Sequence, residues 1–225
     1  MPSIILENVQ KSFNSGKQIV HAIRGVSLEL EGAKSVALIG PSGSGKSTLL
    51  NLIGLLLKAD RGTIRINGQE PSMLKDKERC LFRNRTFGYI LQDYALINED
   101  TAWRNIGIPL LYNREISHKE KKERIARAAK DLGISHLLRQ KAGRLSGGEQ
   151  QRVAIARALV CDQDIILADE PTGSLDSDNK KIVMDLLLNL CQTHNVLLFI
   201  ATHDLDMANR CDHILKCIDG RISDT

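Results

Sequence analysis

Nothing in the 225 residues stays apolar long enough to cross a bilayer. The longest such stretch, Leu49 to Leu57, is broken by Asn51 and Gly54 and falls well short of the roughly 20 residues a spanning helix needs. Paired cysteines are missing as well. The five cysteines at 80, 161, 191, 211 and 217 contain no CxxC spacing, and their odd number argues against a complete disulfide framework, so buried or semi-buried free thiols are expected. No basic block stands apart, because the net charge of +4 is what remains of 31 Lys and Arg against 27 Asp and Glu spread along the chain. Charge therefore gives no reason to expect nucleic acid, and the run HKEKKER at 118–124 reads as a solvated helix face. The opening MPSIILENVQKSF has no charged lead followed by an apolar core and cleavage site, so no secretory signal is expected and the cytoplasm is the expected compartment. Internal repeats, low-complexity tracts and proline-rich linkers are also lacking.

With 42% hydrophobic residues, the chain can bury the core of one domain elaborated by a subdomain. The opening third reads as short extended segments, SIILENV, VSLEL and KSVALIG, punctuated by Gly16, Gly25 and Gly32. After a glycine-rich loop, KSTLLNLIGLLL has helical length and leucine spacing and is expected to stop near Asp60, Arg61 and Gly62. Between Gln92 and Cys161 the texture turns helical: SHKEKKERIARAAKDLGI sets Ile125, Ala128, Ala129 and Leu132 on one face. From Asp164 onward apolar strands and helices alternate again, as in βαβ units. The expected organisation is a core of residues 1–92 and 161–225 bracketing a helical subdomain at 93–160.

The chemistry begins at Gly40-Pro41-Ser42-Gly43-Ser44-Gly45-Lys46-Ser47, which fits G-x-x-x-x-G-K-[ST] between a predicted strand and a predicted helix. Glycines let successive backbone N–H groups curl around phosphate oxygens, and the helix start adds its positive dipole end. In such a loop Lys46 reaches the β- and γ-phosphates of ATP, and the Ser47 hydroxyl coordinates Mg²⁺. Downstream, Ile165-Ile166-Leu167-Ala168-Asp169-Glu170 reads as a buried strand ending in two carboxylates. At the C-terminal end of a strand in an open α/β sheet, Asp169 is placed to hold Mg²⁺ and Glu170 to act as the base toward the water that attacks the γ-phosphate. A third element, Leu145-Ser146-Gly147-Gly148-Glu149-Gln150-Gln151-Arg152, leads into the helix QQRVAIARALV and forms a second anion grip from a hydroxyl, N–H groups and a helix dipole.

This third segment resembles the signature motif of ABC transporter ATPases, and with it the whole chain resembles that family. The resemblance implies an α/β fold: a P-loop NTPase core of mixed sheet, an antiparallel β subdomain at the N-terminus and the inserted α-helical subdomain. It implies Mg-ATP held along Gly40 to Ser47 and at Thr48. It also implies a head-to-tail homodimer in which Ser146, Gly147, Gly148, Glu149 and Asp176 of one chain contact the nucleotide held by the other. Gln92 resembles the family's glutamine switch, which senses Mg²⁺ and water, and His203 resembles the histidine that touches the γ-phosphate. Ser174-Leu175-Asp176 resembles the loop by which each subunit reaches the other's site, with Asp176 or Ser177 also suited to cap a helix. Phe13 fits either the aromatic on which adenine stacks or a core phenylalanine.

ADEPTGSLD and LSGGEQQRVAIARAL look like the subfamily that serves lipoprotein-release, macrolide-export and antimicrobial-peptide permeases. GYILQDYALINEDTAWRNIGIPLLY further resembles ATPases of bacteriocin export, although Asn98-Glu99-Asp100 replaces the Pro or hydrophobic pair of most relatives. The implied partner is a membrane permease docking near Gln92 to Arg104, with a periplasmic or membrane-fusion-type accessory protein in some systems, and the implied location is peripheral, at the inner face of the cell membrane. Tyr94 and Trp103 suit either permease contact or packing within the insert. The alternatives are weaker. An ABC-type ATPase of nucleic-acid repair or ribosome function calls for a coiled-coil insertion or a tandem second domain, and a GTPase calls for Asn-Lys-x-Asp; neither occurs here. A degenerate, non-enzymatic subunit is disfavoured by the intact Lys46, Asp169, Glu170, Ser146 and His203.

Overall fold

The computed structural model describes residues 1–16, 18–32, 34–113 and 115–224, with only the backbone of residues 15 and 224. β1 (Ser3–Ser15) and β2 (Gln18–Glu31) form a long antiparallel hairpin. β3 (Ser35–Ile39) runs into the glycine-rich loop and α1 (Lys46–Ile53) follows it. β4 (Arg61–Ile66) returns to pair with β1, completing a three-stranded antiparallel sheet in the order β2-β1-β4. Then come α2 (Asp76–Thr86), β5 (Phe87–Ile90), α3 (Ala102–Gly107), α4 (His118–Asp131) and α5 (Gly147–Leu159). The chain closes with β6 (Ile165–Asp169), α6 (Ser177–His194), β7 (Leu197–Thr202), α7 (Leu205–Ala208), β8 (His213–Ile218) and β9 (Arg221–Asp224). The second sheet has the order β5-β6-β7-β3-β8-β9, with parallel pairing except at the β8–β9 hairpin. The expected α/β architecture, with its mixed sheet, antiparallel N-terminal sheet and helical insertion, is the one observed. Among the described residues, no helix is long and apolar enough to cross a membrane.

The central strands explain how two cores arise from one sheet. β3, β6 and β7 are near-continuous apolar runs because both of their faces are covered, as parallel strands require. Alternate side chains therefore point to opposite faces. Ile165, Leu167, Leu197 and Phe199 join the cluster of α1 and the antiparallel sheet, whereas Ile166, Ala168, Leu198 and Ile200 join that of α3, α4, α5 and α6. The sheet thus divides the molecule, with the glycine-rich loop's helix on one face and the Ser146 helix on the other. β5 meets α5 so closely that a Cβ on Gly88 would lie 2.1 Å from the Ala158 carbonyl oxygen. Gly88→Ala is expected to overpack this contact by about 1–3 kcal/mol, lowering Tm by roughly 2–12 °C. A thermal melt matching wild type would contradict the close approach.

Three local features differ from the sequence reading. The first helix ends at Ile53 instead of running through Leu57, because the Tyr89 hydroxyl takes the Gly54 carbonyl and Leu55 enters the left-handed region at φ 59°. α2 has no counterpart in that reading. It is a polar helix with only Thr86 buried, so no apolar stripe marks it, and its start is capped by the Glu78 carboxylate accepting from the Lys75 N–H at 3.0 Å. Cys80, on α2, is exposed instead of buried; the other four cysteines are buried or half-buried. Burial pushes the Cys161, Cys191 and Cys211 thiols up to about 11, and raises Cys217 as well, which suppresses the reactive thiolate.

Candidate active site

The loop from Gly40 to Gly45 leaves the C-terminal end of β3, and α1 begins at Lys46. Gly45 caps that helix at φ 109°, a left-handed backbone that a side chain would strain, and a Cβ there would also lie 2.5 Å from the Ala22 carbonyl oxygen. The loop is braced from behind: the Ser44 carbonyl accepts from the Gly220 N–H at 2.9 Å and from the Cys217 thiol at 3.1 Å. Lys46 donates from Nζ to the carbonyls of Gly40 (2.8 Å) and Pro41 (3.0 Å), which holds its ammonium against the backbone of the loop.

Asp169 ends β6 beside this loop. Burial raises its carboxyl above the usual range, the neighbouring Glu170 adds to the rise, and the Ser47 hydroxyl and Lys46 charge oppose it. Its buried Oδ1 finds no protein partner. An orphaned carboxylate oxygen next to a serine hydroxyl is a donor set that suits a hard divalent cation such as Mg²⁺. Among the described residues no three His, Cys, Asp or Glu side chains converge on a metal position. A cation arriving on nucleotide phosphates needs only such a small protein contribution.

Glu170 sits at φ 47° with its N–H bonded to the Ala201 carbonyl at 2.9 Å, so strand β7 fixes its backbone. Its Oε1 lies 2.7 Å from His203 Nδ1, and its Oε2 accepts from the Thr202 hydroxyl at 3.3 Å. His203 itself is largely exposed. Gln92 reaches the same place: a Cβ on Gly173 would stand 3.5 Å from Gln92 Nε2 and 3.6 Å from Glu170 Cβ. Lys46, Ser47, Asp169, Glu170, His203 and Gln92 therefore gather around the C-terminal ends of β3, β6 and β7, where a base, a cation and a phosphate grip can act on one γ-phosphate. Phe13 lies outside the core. It is 39% exposed on β1, with Lys11 Nζ 5.6 Å from its ring centroid.

The second grip is elsewhere. Ser146 caps α5 through a reciprocal pair: its N–H and hydroxyl both donate to Glu149 Oε2 at 2.8 Å, and the Glu149 N–H returns to Ser146 Oγ at 3.4 Å. The two bonds that Ser146 donates hold the Glu149 carboxyl below its usual range. Asp176 caps α6, accepting from the Asn179 N–H at 2.9 Å. Leu145 and Leu175, flanking the two caps, are buried in the α5 and α6 cluster, on the far side of the sheet from α1. Among the described residues no hydrogen bond joins 145–150 to the loop at 40–47.

Three positions escaped the sequence reading. Arg157 of α5 donates to the Tyr94 carbonyl at 2.6 Å and to that of Ala95, two residues in left-handed backbone just past Gln92. Gln151 Nε2 donates to the Pro171 carbonyl at 2.6 Å, linking α5 to the residue after Glu170. Thr202 is the third. An arginine inside the otherwise apolar VAIARALV was a usable signal, since a partly buried guanidinium demands acceptors. Tyr94 is half-buried, and its hydroxyl lies 2.7 Å from Ser174 Oγ, outside the 93–160 insert.

Fold and site together define a P-loop ATPase. The ABC transporter family matches residues 23–173. The chain is 40% identical over 222 residues to the "Lipoprotein-releasing system ATP-binding protein LolD 1" of Rhodopirellula baltica, covering 97% of this chain and 95% of that protein. It is also 40% identical to the "Macrolide export ATP-binding/permease protein MacB" of Neisseria meningitidis, aligned over 100% of this chain but only 35% of that protein. The solved structure "Dimeric Structure of MJ0796, a Bacterial ABC Transporter Cassette" superposes with a TM-score of 0.90 at 37% identity, covering 98% of this chain and 96% of that one. A second structure of the same cassette, described as a post-hydrolysis state bound to ADP and Pi, gives 0.89 at 35% identity over 98% of both chains. The chain belongs to the ABC transporter family, as an ATP-binding and ATP-hydrolysing subunit.

Proposed function

We propose that this chain works as a homodimer in which each nucleotide is held by the 40–48 loop of one copy and closed over by Ser146 to Glu149 and Asp176 of the other. The observation that carries this reading is that the helices following the two grips pack against opposite faces of the central sheet, with no hydrogen bond between 145–150 and the loop at 40–47 among the described residues. Its similarity to a dimeric cassette is consistent with the same arrangement. In the closed site Lys46 and the loop N–H groups bind the β- and γ-phosphates, Glu170 takes the proton of the attacking water, and Gln92 and His203 orient water and γ-phosphate. Ser47 and Asp169 would hold Mg²⁺, which supplies positive charge to the phosphate oxygens. Phe13, exposed at the edge of the β1–β2 hairpin, is the platform for adenine. A mixing experiment tests the pairing. Lys46→Ala and Ser146→Arg chains, each inactive alone, should regain ATPase activity when combined, because one composite site of the mixed dimer is intact; no regain would overturn the arrangement.

The work is delivered to a separate membrane permease. Between α3 and α4 lies a cleft of about 520 Å³ lined by Ile97, Trp103, Leu110, Leu111 and Ile125 with basic residues at its edge. Leu111 is 71% exposed, an apolar surface suited to the end of a permease helix. The Arg157 bonds to Tyr94 and Ala95 connect the segment between Gln92 and this cleft to α5, so docking there can reach the site. Membrane association through this cleft makes the chain peripheral at the cytoplasmic face, and the relatives named for lipoprotein release and macrolide export support export of lipoprotein or drug-like cargo. Trp103→Ala combined with Leu111→Ala should abolish permease stimulation of hydrolysis while leaving basal ATPase unchanged. Equal stimulation in the double variant would move the docking site elsewhere.

A further inference from the structure

We infer that Thr202 is a positioning residue for hydrolysis: its hydroxyl holds the Glu170 carboxylate in its working orientation. The inference rests on the reading of Glu170 as the base. Thr202 ends β7 and is completely buried, an unusual place for a hydroxyl unless both its roles are filled. They are. The Asp204 N–H donates to Thr202 Oγ1 at 3.1 Å, which uses the oxygen as an acceptor and leaves its single hydrogen for Glu170 Oε2, 3.3 Å away.

The carboxylate is therefore held at both oxygens by consecutive residues, Oε2 by Thr202 and Oε1 by His203. The two holds differ in kind. His203 is 70% exposed, so it is free to turn toward the γ-phosphate in the role proposed for it, a movement that would release Oε1 to the attacking water. Thr202 is fixed in the sheet and cannot leave. Once His203 has turned, the buried hydroxyl is what keeps Glu170 from rotating about its side-chain bonds, on a backbone already pinned to Ala201 at φ 47°.

The test compares Thr202→Val, which keeps the shape and removes the hydroxyl, with Thr202→Ser, which keeps the hydroxyl; Thr202→Ala replaces the valine variant if that one does not fold. Steady-state ATPase, ATP affinity and melting temperature are measured on each, beside Glu170→Gln. Thr202→Val should lower kcat roughly tenfold to a hundredfold, the scale of a mispositioned reacting group, with KM and ATP affinity unchanged, and Thr202→Ser should restore wild-type turnover. Wild-type kcat in the valine variant overturns the inference, as does an equal fall in valine and serine variants, or a loss that follows a raised KM and a lowered melting temperature. If Glu170→Gln is inactive while Thr202→Val is fully active, only Thr202's role fails. If Glu170→Gln itself turns over normally, the base reading fails and this inference with it.

Discussion

Replacing Glu170 by glutamine will stop turnover while leaving ATP bound. The amide keeps the size of the carboxylate and its oxygen can still accept from Thr202, so the pocket geometry survives. What is lost is the ability to take a proton from water, and removal of a positioned general base costs ~10²–10⁴ in rate, or roughly 2.7–5.4 kcal/mol of barrier. Nothing in that change touches Lys46 or the loop N–H groups, so affinity for ATP should stay near that of wild type. Because the nucleotide is proposed to close the two chains over it and hydrolysis to release them, the variant should accumulate as an ATP-dependent dimer. Light scattering with and without ATP, beside phosphate release, reads both effects. Wild-type turnover, or a chain that stays monomeric in ATP, would sink the coupling of closure to catalysis.

The elements that carry this chemistry were the most legible ones, for a physical reason. A phosphate loop, a strand ending in carboxylates and a capped helix are local devices, so their residues lie side by side in sequence as well as in space. The buried strands were legible because coverage on both faces leaves only apolar runs such as IILA and LLFIA. What stayed hidden depends on partners distant in the chain. Thr202 acquires its meaning from Glu170, 32 residues away, and Arg157 from Tyr94, 63 residues away. α2 left no trace because it packs through little apolar surface, and the leucine run past Ile53 read as helix because the Tyr89 hydroxyl that ends it comes from β5. Phe13 reads from sequence as either an adenine platform or a core residue, because its exposure at the edge of the core depends on the long hairpin that carries it.

Replacing Lys46 by alanine will act one step earlier, on binding itself. The ammonium now donates to the Gly40 and Pro41 carbonyls, against the backbone of the loop, and those short bonds can be exchanged for phosphate oxygens without moving the backbone. Each charge-assisted hydrogen bond lost is worth about 1.5–3 kcal/mol, so affinity for ATP should fall by roughly ten- to a hundredfold or more, and turnover with it. Alanine is well tolerated at the first turn of α1 and leaves Gly45 as the cap, so the melting temperature should change little. Arginine should not rescue the loss, since its planar fork cannot follow the tight curve that a flexible ammonium stem fits. Titration calorimetry with a non-hydrolysable ATP analogue measures the binding, and wild-type affinity in Lys46→Ala would remove the assignment of the phosphate loop. Combining both changes separates binding from chemistry. The Lys46→Ala, Glu170→Gln chain should stay monomeric at ATP concentrations that trap Glu170→Gln as a dimer, because closure requires a nucleotide that this loop can no longer hold.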